Sequence, residues 1–231
     1  SSGRKPMDIK FLERYLPEGI PFPFSRSYSI VARSRIFRDF YRQVAEEVAL
    51  RLNEGRILDV GTGPGYLPIE IAKLVEKAEI IGIDLSEDMI RIARRNAEKE
   101  SVKVKFLVMD ANNMSFEDSY FDLVLSTGSL HHWKKPLKVI SEMRRVLKES
   151  GEAWIYDLRK DAPDELIANK LREYGYGKLT RSVIFRMVKL HSGISLKEMM
   201  EIGEKAKEIF RNCSIEESWH SFPVMKLRLC I

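Results

Sequence analysis

Apolar runs of strand length alternate with amphipathic stretches of helical period between residues 55 and 160. Successive side chains of a strand point to opposite faces of the sheet, whereas an amphipathic helix repeats its apolar side chains every three to four residues. The runs predict five strands, joined by helices, at residues 56–60, 78–84, 102–109, 121–126 and 152–157. Strands connected by crossover helices form a parallel, doubly wound sheet, so we predict an α/β fold.

Both ends of this alternating region carry further elements. Before it, apolar residues at one-face spacing predict a helix that begins after Ser34 and closes at Gly55. After it, a Ser195–Glu198 capping box predicts a helix to about Asn212, and apolar runs at 215–220 and 224–230 predict a closing hairpin. The whole chain, 1–231, is therefore expected to form one domain, with a core at 36–160 and a final helix and hairpin at 195–231.

Two segments lie outside the alternation of strands and helices and are predicted to cover the binding site. Residues 1–35 contain four prolines and several aromatic residues, and residues 161–194 contain helical pieces separated by glycines. We expect the first segment to be an N-terminal cap and the second a lid-like helical insertion. Together they are predicted to form a mobile cover over the pocket of an acceptor molecule.

Composition narrows the class of protein. The 231 residues are 44% hydrophobic and 32% charged, which is typical of a globular protein. No apolar run approaches the roughly 18 residues of a membrane span, and no signal-peptide core is recognisable. The two cysteines form no metal or redox spacing, so we expect a cytoplasmic protein without a metal site.

The positive charge is concentrated near the start of the chain. Residues 1–42 hold nine Lys and Arg against four Asp and Glu, which accounts for the net charge of +5. This excess is compatible with a solvated helix face or with a surface for nucleic acid or an anionic substrate. Nothing in the sequence indicates an oligomeric state.

A glycine-rich turn follows the first predicted strand of the core. The strand ends in Asp59, and Gly61, Gly63 and Gly65 follow at alternate positions before a helix begins. Such a turn lets a ligand lie against the backbone. A dinucleotide fingerprint would need a third glycine or alanine at Tyr66, and the acidic Asp59 is unfavourable beside a pyrophosphate. Beside a cationic ligand the carboxylate is favourable.

This D-x-G-x-G-x-G pattern resembles the first motif of class I S-adenosylmethionine (AdoMet) methyltransferases. A second stretch supports the likeness: Leu130-His131-His132-Trp133, Pro136 and Glu142-x-x-Arg145-Val-Leu-Lys resemble the small-molecule branch that includes the ubiquinone/menaquinone methyltransferases. The resemblance is strong over 55–160, loose over 196–231, and absent over 1–35 and 161–194. It implies a Rossmann-like sheet of seven strands, mostly parallel, with the last strand antiparallel.

Acidic residues end the second and third strands. Ligands of such sheets lie outside the carboxyl ends of the strands, so Asp84 is predicted to bind a ribose diol, and Asp110 with the backbone of Ala111 to bind adenine. A solvent-facing acid is the alternative at both positions. With the resemblance, the predicted cofactor-binding set is Asp59, Gly61, Thr62, Gly63, Asp84, Leu85, Met89, Asp110, Ala111 and Ser126.

The expected activity is therefore methyl transfer from AdoMet, with S-adenosylhomocysteine as product, most naturally to a small molecule. His131 is the candidate general base, and the alternative is that His131 and His132 are structural residues of a turn. The acceptor atom stays open among oxygen, nitrogen, carbon and others. Two other functions stay open. One is an RNA-associated protein with a basic N-terminal arm, and the other is an NAD-type oxidoreductase, which Tyr66 and Asp59 disfavour.

Overall fold

A computed structural model describes residues 34–191, 193–218 and 223–231. Almost all of the predicted N-terminal cap, and with it most of the basic arm, lies outside these residues. None of the described helices has the length and apolar character that a membrane crossing requires.

The described part of the chain forms a seven-stranded sheet. Its order is β3-β2-β1-β4-β5-β7-β6. Only β7 runs antiparallel to its neighbours β5 and β6, which confirms the predicted Rossmann-like α/β sheet with its last strand antiparallel. The strands are β1 (Glu54–Val60), β2 (Lys77–Asp84), β3 (Lys105–Val108), β4 (Phe121–Thr127), β5 (Leu147–Leu158), β6 (Asn212–Ser218) and β7 (Val224–Cys230).

Seven α-helices occur in the described ranges, together with one 3-10 turn at Leu130–His132. Predicted capping is confirmed at two of them, where the side chain of Ser86 accepts from the Met89 backbone and Ser195 forms a full capping box with Glu198. The helices are α1 (Arg35–Arg51), α2 (Tyr66–Leu74), α3 (Glu87–Lys99), α4 (Pro136–Val146), α5 (Asp164–Glu173), α6 (Lys178–His191) and α7 (Leu196–Ala206).

Successive side chains of the central strands enter opposite cores. In β5, Trp154 and Tyr156 belong to a core shared with α1, α2, α5 and α6, whereas Ile155 belongs to a core shared with α4 and α7. The strands are buried on both faces, as the uninterrupted apolar runs predict. This two-sided burial leaves the strand ends as the place where polar side chains can gather.

The structure corrects the prediction that Gly55 ends the first helix. Helix α1 ends at Arg51, and Gly55 is the second residue of β1. Its φ is +114°, and a Cβ at this position would lie 2.7 Å from a carboxylate oxygen of Asp122. Glycine is needed because Asp122 approaches this backbone closely enough to accept from the N–H of Arg56 at 2.8 Å.

Several element boundaries also differ from the prediction, and β5, for example, begins at Leu147 rather than at 152. Strand β3 is shorter than the predicted 102–109, α7 ends at Ala206 rather than near Asn212, and β6 begins at Asn212 rather than at 215. Local apolar pattern does not report where cross-strand pairing starts, and β6 is fixed by its pairing with β7 from Asn212 to Ser218. The hairpin connection is predicted around Phe222-Pro223, and residues 219–222 of it lie outside the described residues.

The predicted insertion at 161–194 consists of α5 and α6. Both helices bury apolar side chains, Ile167 and Leu171 from α5 and Ile184 and Val188 from α6, in the same core as Tyr156. The Tyr176 hydroxyl accepts from the backbone N–H of Ile36 at 3.0 Å, which ties the loop between these helices to the start of α1. The movement of this segment as a cover stays a prediction.

Candidate cofactor and acceptor site

A cleft opens at the carboxyl ends of β1, β2 and β3. The space between its walls is about 750 Å³, a figure that includes open solvent. Seven of the residues predicted from the sequence lie together in its lining, which are Gly61, Gly63, Asp84, Leu85, Met89, Asp110 and Ala111. The structure thus brings together in one cleft side chains from three strand ends, as a doubly wound sheet predicts.

The glycine turn forms one wall of this cleft. Gly61, Gly63 and Gly65 all have positive φ, at 72°, 52° and 79°. A Cβ at Gly61 would lie 2.2 Å from the Ser129 hydroxyl oxygen, so no other residue fits there. The backbone N–H groups of Gly61 and Thr62 both donate to the carbonyl of Ile83, at 2.9 and 2.8 Å. The turn is therefore fixed to β2.

Asp84 connects the glycine turn to the start of α3. Its Oδ2 accepts from the Gly63 N–H and its Oδ1 from the Ser86 N–H, both at 2.9 Å. Burial raises the pKa of Asp84, and these two donors oppose that rise. Each carboxylate oxygen keeps a second acceptor position, so the group can still accept hydroxyl donors from a ligand. This geometry suits the predicted ribose contact.

The segment after β3 forms the opposite wall. Asp110 is exposed, and its Oδ1 accepts from the backbone and the side chain of Asn112, at 2.8 and 2.9 Å. Met109 and Ala111 add apolar surface next to it. A carboxylate beside apolar surface suits a flat ring that carries an amino group.

Asp59 and Thr62 lie outside the lining of this cleft. Asp59 is 1% exposed, and neither of its carboxylate oxygens has a hydrogen-bond partner among the described residues. Burial raises the pKa of Asp59 to about 7. The nearby Thr62 hydroxyl opposes this rise, although it is not in hydrogen-bonding geometry, and the charge of Asp84 adds to it. Thr62 lines a smaller pocket behind the turn, together with Tyr41 and Tyr66.

Ser126 does not reach the cleft either. It is fully buried at 0% exposure, and its hydroxyl donates to the Val60 carbonyl at 2.7 Å. This bond joins the ends of the neighbouring strands β4 and β1. A contact between Ser126 and a cofactor stays a prediction, and the geometry assigns the side chain a role in the sheet.

His131 is held by a buried carboxylate from another strand. Asp157, at the end of β5, accepts from the His131 backbone N–H at 3.0 Å and lies 2.9 Å from its Nδ1. A carboxylate can only accept, so Nδ1 carries a proton, and in the neutral ring the lone pair is then on Nε2. That Nε2 atom is buried and has no partner among the described residues.

The neighbouring histidine differs in its surroundings. The His132 ring lies 3.9 Å from the His131 ring and lines the cleft with Trp133 and Ser129. The surrounding protein lowers the pKa of His132, and a charge on His131 would lower it further, although the His132 side chain is exposed at the mouth of the cleft. A neutral ring at this place does not repel a cationic ligand.

The sequence-based site omitted Asp157, Ser129, His132 and Trp133. A signal for Asp157 existed, because it ends the fifth strand as Asp59 and Asp84 end the first two. Its pairing with His131 joins residues 26 positions apart and follows from the neighbouring positions of β4 and β5 in the sheet. Among the described residues, no three His, Cys, Asp or Glu side chains are grouped as metal ligands.

Comparison with known proteins identifies a family for this chain. A family model described as a methyltransferase domain matches residues 52–213. A demethylmenaquinone methyltransferase of Thermus thermophilus is 35% identical over 111 residues, which is 48% of this chain and 50% of that protein. The chain thus spans about half the length of this curated relative.

Solved structures share the fold. A Methanococcus maripaludis structure, described as that of an S-adenosyl-L-methionine-dependent methyltransferase, has a TM-score of 0.69 at 23% identity, covering 100% of this chain and 96% of that one. The plantazolicin methyltransferase in complex with S-adenosylhomocysteine also has a TM-score of 0.69, at 18% identity, covering 96% and 97%.

Proposed function

This chain belongs to the methyltransferase-domain family, and we propose that it transfers a methyl group from AdoMet to a small-molecule acceptor. The observation that carries the proposal is the position of Asp84. Its carboxylate is fixed by the Gly63 N–H at 2.9 Å, at the junction of the glycine turn and the cleft. A pair of ribose hydroxyls can be bound there, next to a ligand chain that lies against the backbone of the glycine turn.

The residues of the cleft fit the proposed cofactor. Asp84 would accept from the ribose hydroxyls, Asp110 from the adenine amino group, and the glycine turn would face the amino-acid end. Asp59 precedes that turn, is buried without a partner among the described residues, and would supply negative charge towards a ligand that carries an ammonium and a sulfonium. When bound, AdoMet supplies an electrophilic methyl group with a neutral sulfide as leaving group.

We assign His131 the role of general base for an acceptor that loses a proton. Its Nε2 would take that proton while the acceptor forms its bond to the methyl carbon, and Asp157 would hold the ring and stabilise the resulting imidazolium. The fixed Nδ1 and the Nε2 without a partner among the described residues support the role, which requires that the buried Nε2 becomes accessible when the acceptor binds. Acceptors of this kind include phenols, quinols and other groups with an ionisable proton.

A small aromatic acceptor is favoured over nucleic acid. The similar Thermus protein is named for demethylmenaquinone, and the cleft is walled by Met109 and Trp133 as well as by polar groups. No observation on the described residues favours RNA, and most of the basic arm that motivated that alternative lies outside them.

Isothermal titration calorimetry tests the cofactor. The protein should bind S-adenosylhomocysteine, and NAD should bind more weakly or give no heat. Tighter binding of NAD would contradict the proposal. A tritiated-AdoMet assay with a short-chain demethylmenaquinol and a panel of simple phenols then tests the acceptor class. Transfer to RNA and to none of these molecules would restore the nucleic-acid alternative.

A further inference from the structure

The second half of the family-like motif, Glu142-x-x-Arg145, has no part in the chemistry proposed above. We infer that Glu142 and Arg145 are positioning residues that set the adenine-facing wall of the cofactor cleft by holding the segment 109–120. This inference rests on the proposed function, since it assigns a ligand to that wall.

Arg145 lies near the end of α4, and its guanidinium binds the segment at several points. It donates to the backbone carbonyls of Met114 and Phe116, at 2.7 and 2.8 Å, and to the carboxylate of Asp118 at 2.7 Å. Its own carbonyl accepts from the Ser119 N–H at 2.9 Å. A planar guanidinium with five donors can make such a set of bonds, whereas an ammonium group cannot.

Glu142 completes the attachment one helical turn earlier. Its Oε2 accepts from the Met114 N–H at 2.7 Å, and both of its carboxylate oxygens accept from Arg145 at 2.9 Å. The bonds from Arg145, and then the Met114 N–H, hold the pKa of Glu142 below its ordinary value. The N–H and C=O of Met114 are thus both bound by side chains of one helix.

The same segment supplies the wall of the cleft. At its start, the Met109 N–H donates to the Asp84 carbonyl at 3.0 Å. Asp110, Ala111 and Asn112 then line the cleft. Met114, two residues further, is buried in the core at 3% exposure. The wall is therefore a short span between β2 on one side and the Glu142–Arg145 pair on the other.

This attachment differs from an ordinary surface ion pair. Exposed pairs contribute little because both side chains stay mobile and solvated. The neighbouring Arg144 forms such a pair, because its guanidinium donates to Glu149, whose side chain is 77% exposed. Arg145 instead binds backbone carbonyls, and its loss would leave those carbonyls without their donor. Arg144 is therefore the matched control on the same helix.

The test compares binding of two ligands by calorimetry. One is S-adenosylhomocysteine, and the other is S-inosylhomocysteine, in which an oxygen replaces the adenine amino group that Asp110 is proposed to bind. The wild-type protein should prefer the adenine ligand by about ten- to a hundredfold, the range for a hydrogen bond to a charged group. In R145K and E142Q this preference should fall to about threefold or less, mainly through weaker binding of the adenine ligand. R144K should keep the wild-type preference.

Each outcome decides the matter. An unchanged preference in both R145K and E142Q, or an equal loss of affinity for both ligands, would overturn the inference and leave the pair a purely structural role. Thermal unfolding in the absence of ligand identifies a variant that fails to fold, and the other variant then decides. If the wild-type protein binds neither ligand, the proposed function fails instead, which is a distinct result.

Discussion

Replacing Asp59 by Asn is expected to stabilise the protein without ligand while weakening its cofactor binding. The carboxylate is 1% exposed and has no hydrogen-bond partner among the described residues. Asparagine has nearly the same shape and carries no charge, so the substitution removes the cost of ionisation in a buried position and disturbs the packing little.

The magnitude follows from the raised pKa. In the unfolded chain Asp59 has an ordinary pKa of 3.8, and in the folded protein burial raises the pKa to about 7. Between these values the unfolded chain releases the proton and the folded protein retains it, so the free energy of unfolding falls as the pH rises. The fall is about 1.4 kcal/mol per pH unit and totals at most about 4 kcal/mol above pH 7.

Urea unfolding at pH 4, 5, 6, 7 and 8 measures the effect. The stability difference between Asp59→Asn and wild type should be close to zero at pH 4 and should grow to several kcal/mol at pH 8, with an upper limit of about 4 kcal/mol. Asp164→Asn is the control, because its carboxylate is 68% exposed and pairs with Lys189 at the surface. It should shift stability by less than about 1 kcal/mol at every pH from 5 to 8.

Two results would refute this reasoning. A difference that does not change with pH would mean that Asp59 titrates normally in the folded protein. A wild-type protein more stable than the variant at pH 8 would mean that the carboxylate gains a partner in solution. Calorimetry with S-adenosylhomocysteine completes the experiment, since the variant should bind at least tenfold more weakly if the buried charge faces the ligand cation.

The other predictions concern the ligand, the base and the cover. Asp84→Ala should weaken S-adenosylhomocysteine binding by roughly ten- to a hundredfold, whereas Asp88→Ala on the adjacent helical turn should not; equal affinities for both variants would leave Asp84 only its structural bonds to Gly63 and Ser86. His131→Gln should lower the methylation rate by about 10²–10⁴-fold with cofactor affinity unchanged; an unchanged rate would exclude His131 as the base. Hydrogen exchange with bound S-adenosylhomocysteine should show added protection in 161–194; protection confined to the cleft would contradict a responding cover.

Local sequence pattern predicted the parts of the site that depend on the strands themselves. An apolar run followed by Asp59 and a glycine turn, and a second run ending at Asp84, identify two strand ends of a parallel sheet, and parallel strands bring their carboxyl ends to one edge. The ladder between β1 and β2 aligns Val60 with Ile83. The turn after one strand therefore meets the end of the next, as the Gly63–Asp84 bond shows.

Tertiary structure alone decided which side chains meet across the fold. Asp157 binds His131 because β5 lies beside β4, and Arg145 binds the carbonyl of Met114 because α4 packs over the segment before β4. The same holds for Gly55, whose position in a strand becomes clear only where Asp122 approaches it. Hydrophobic period indicates the type of each element and the face that it buries, whereas these bonds depend on strand order and helix docking, which bring distant residues together without leaving a mark in the local pattern.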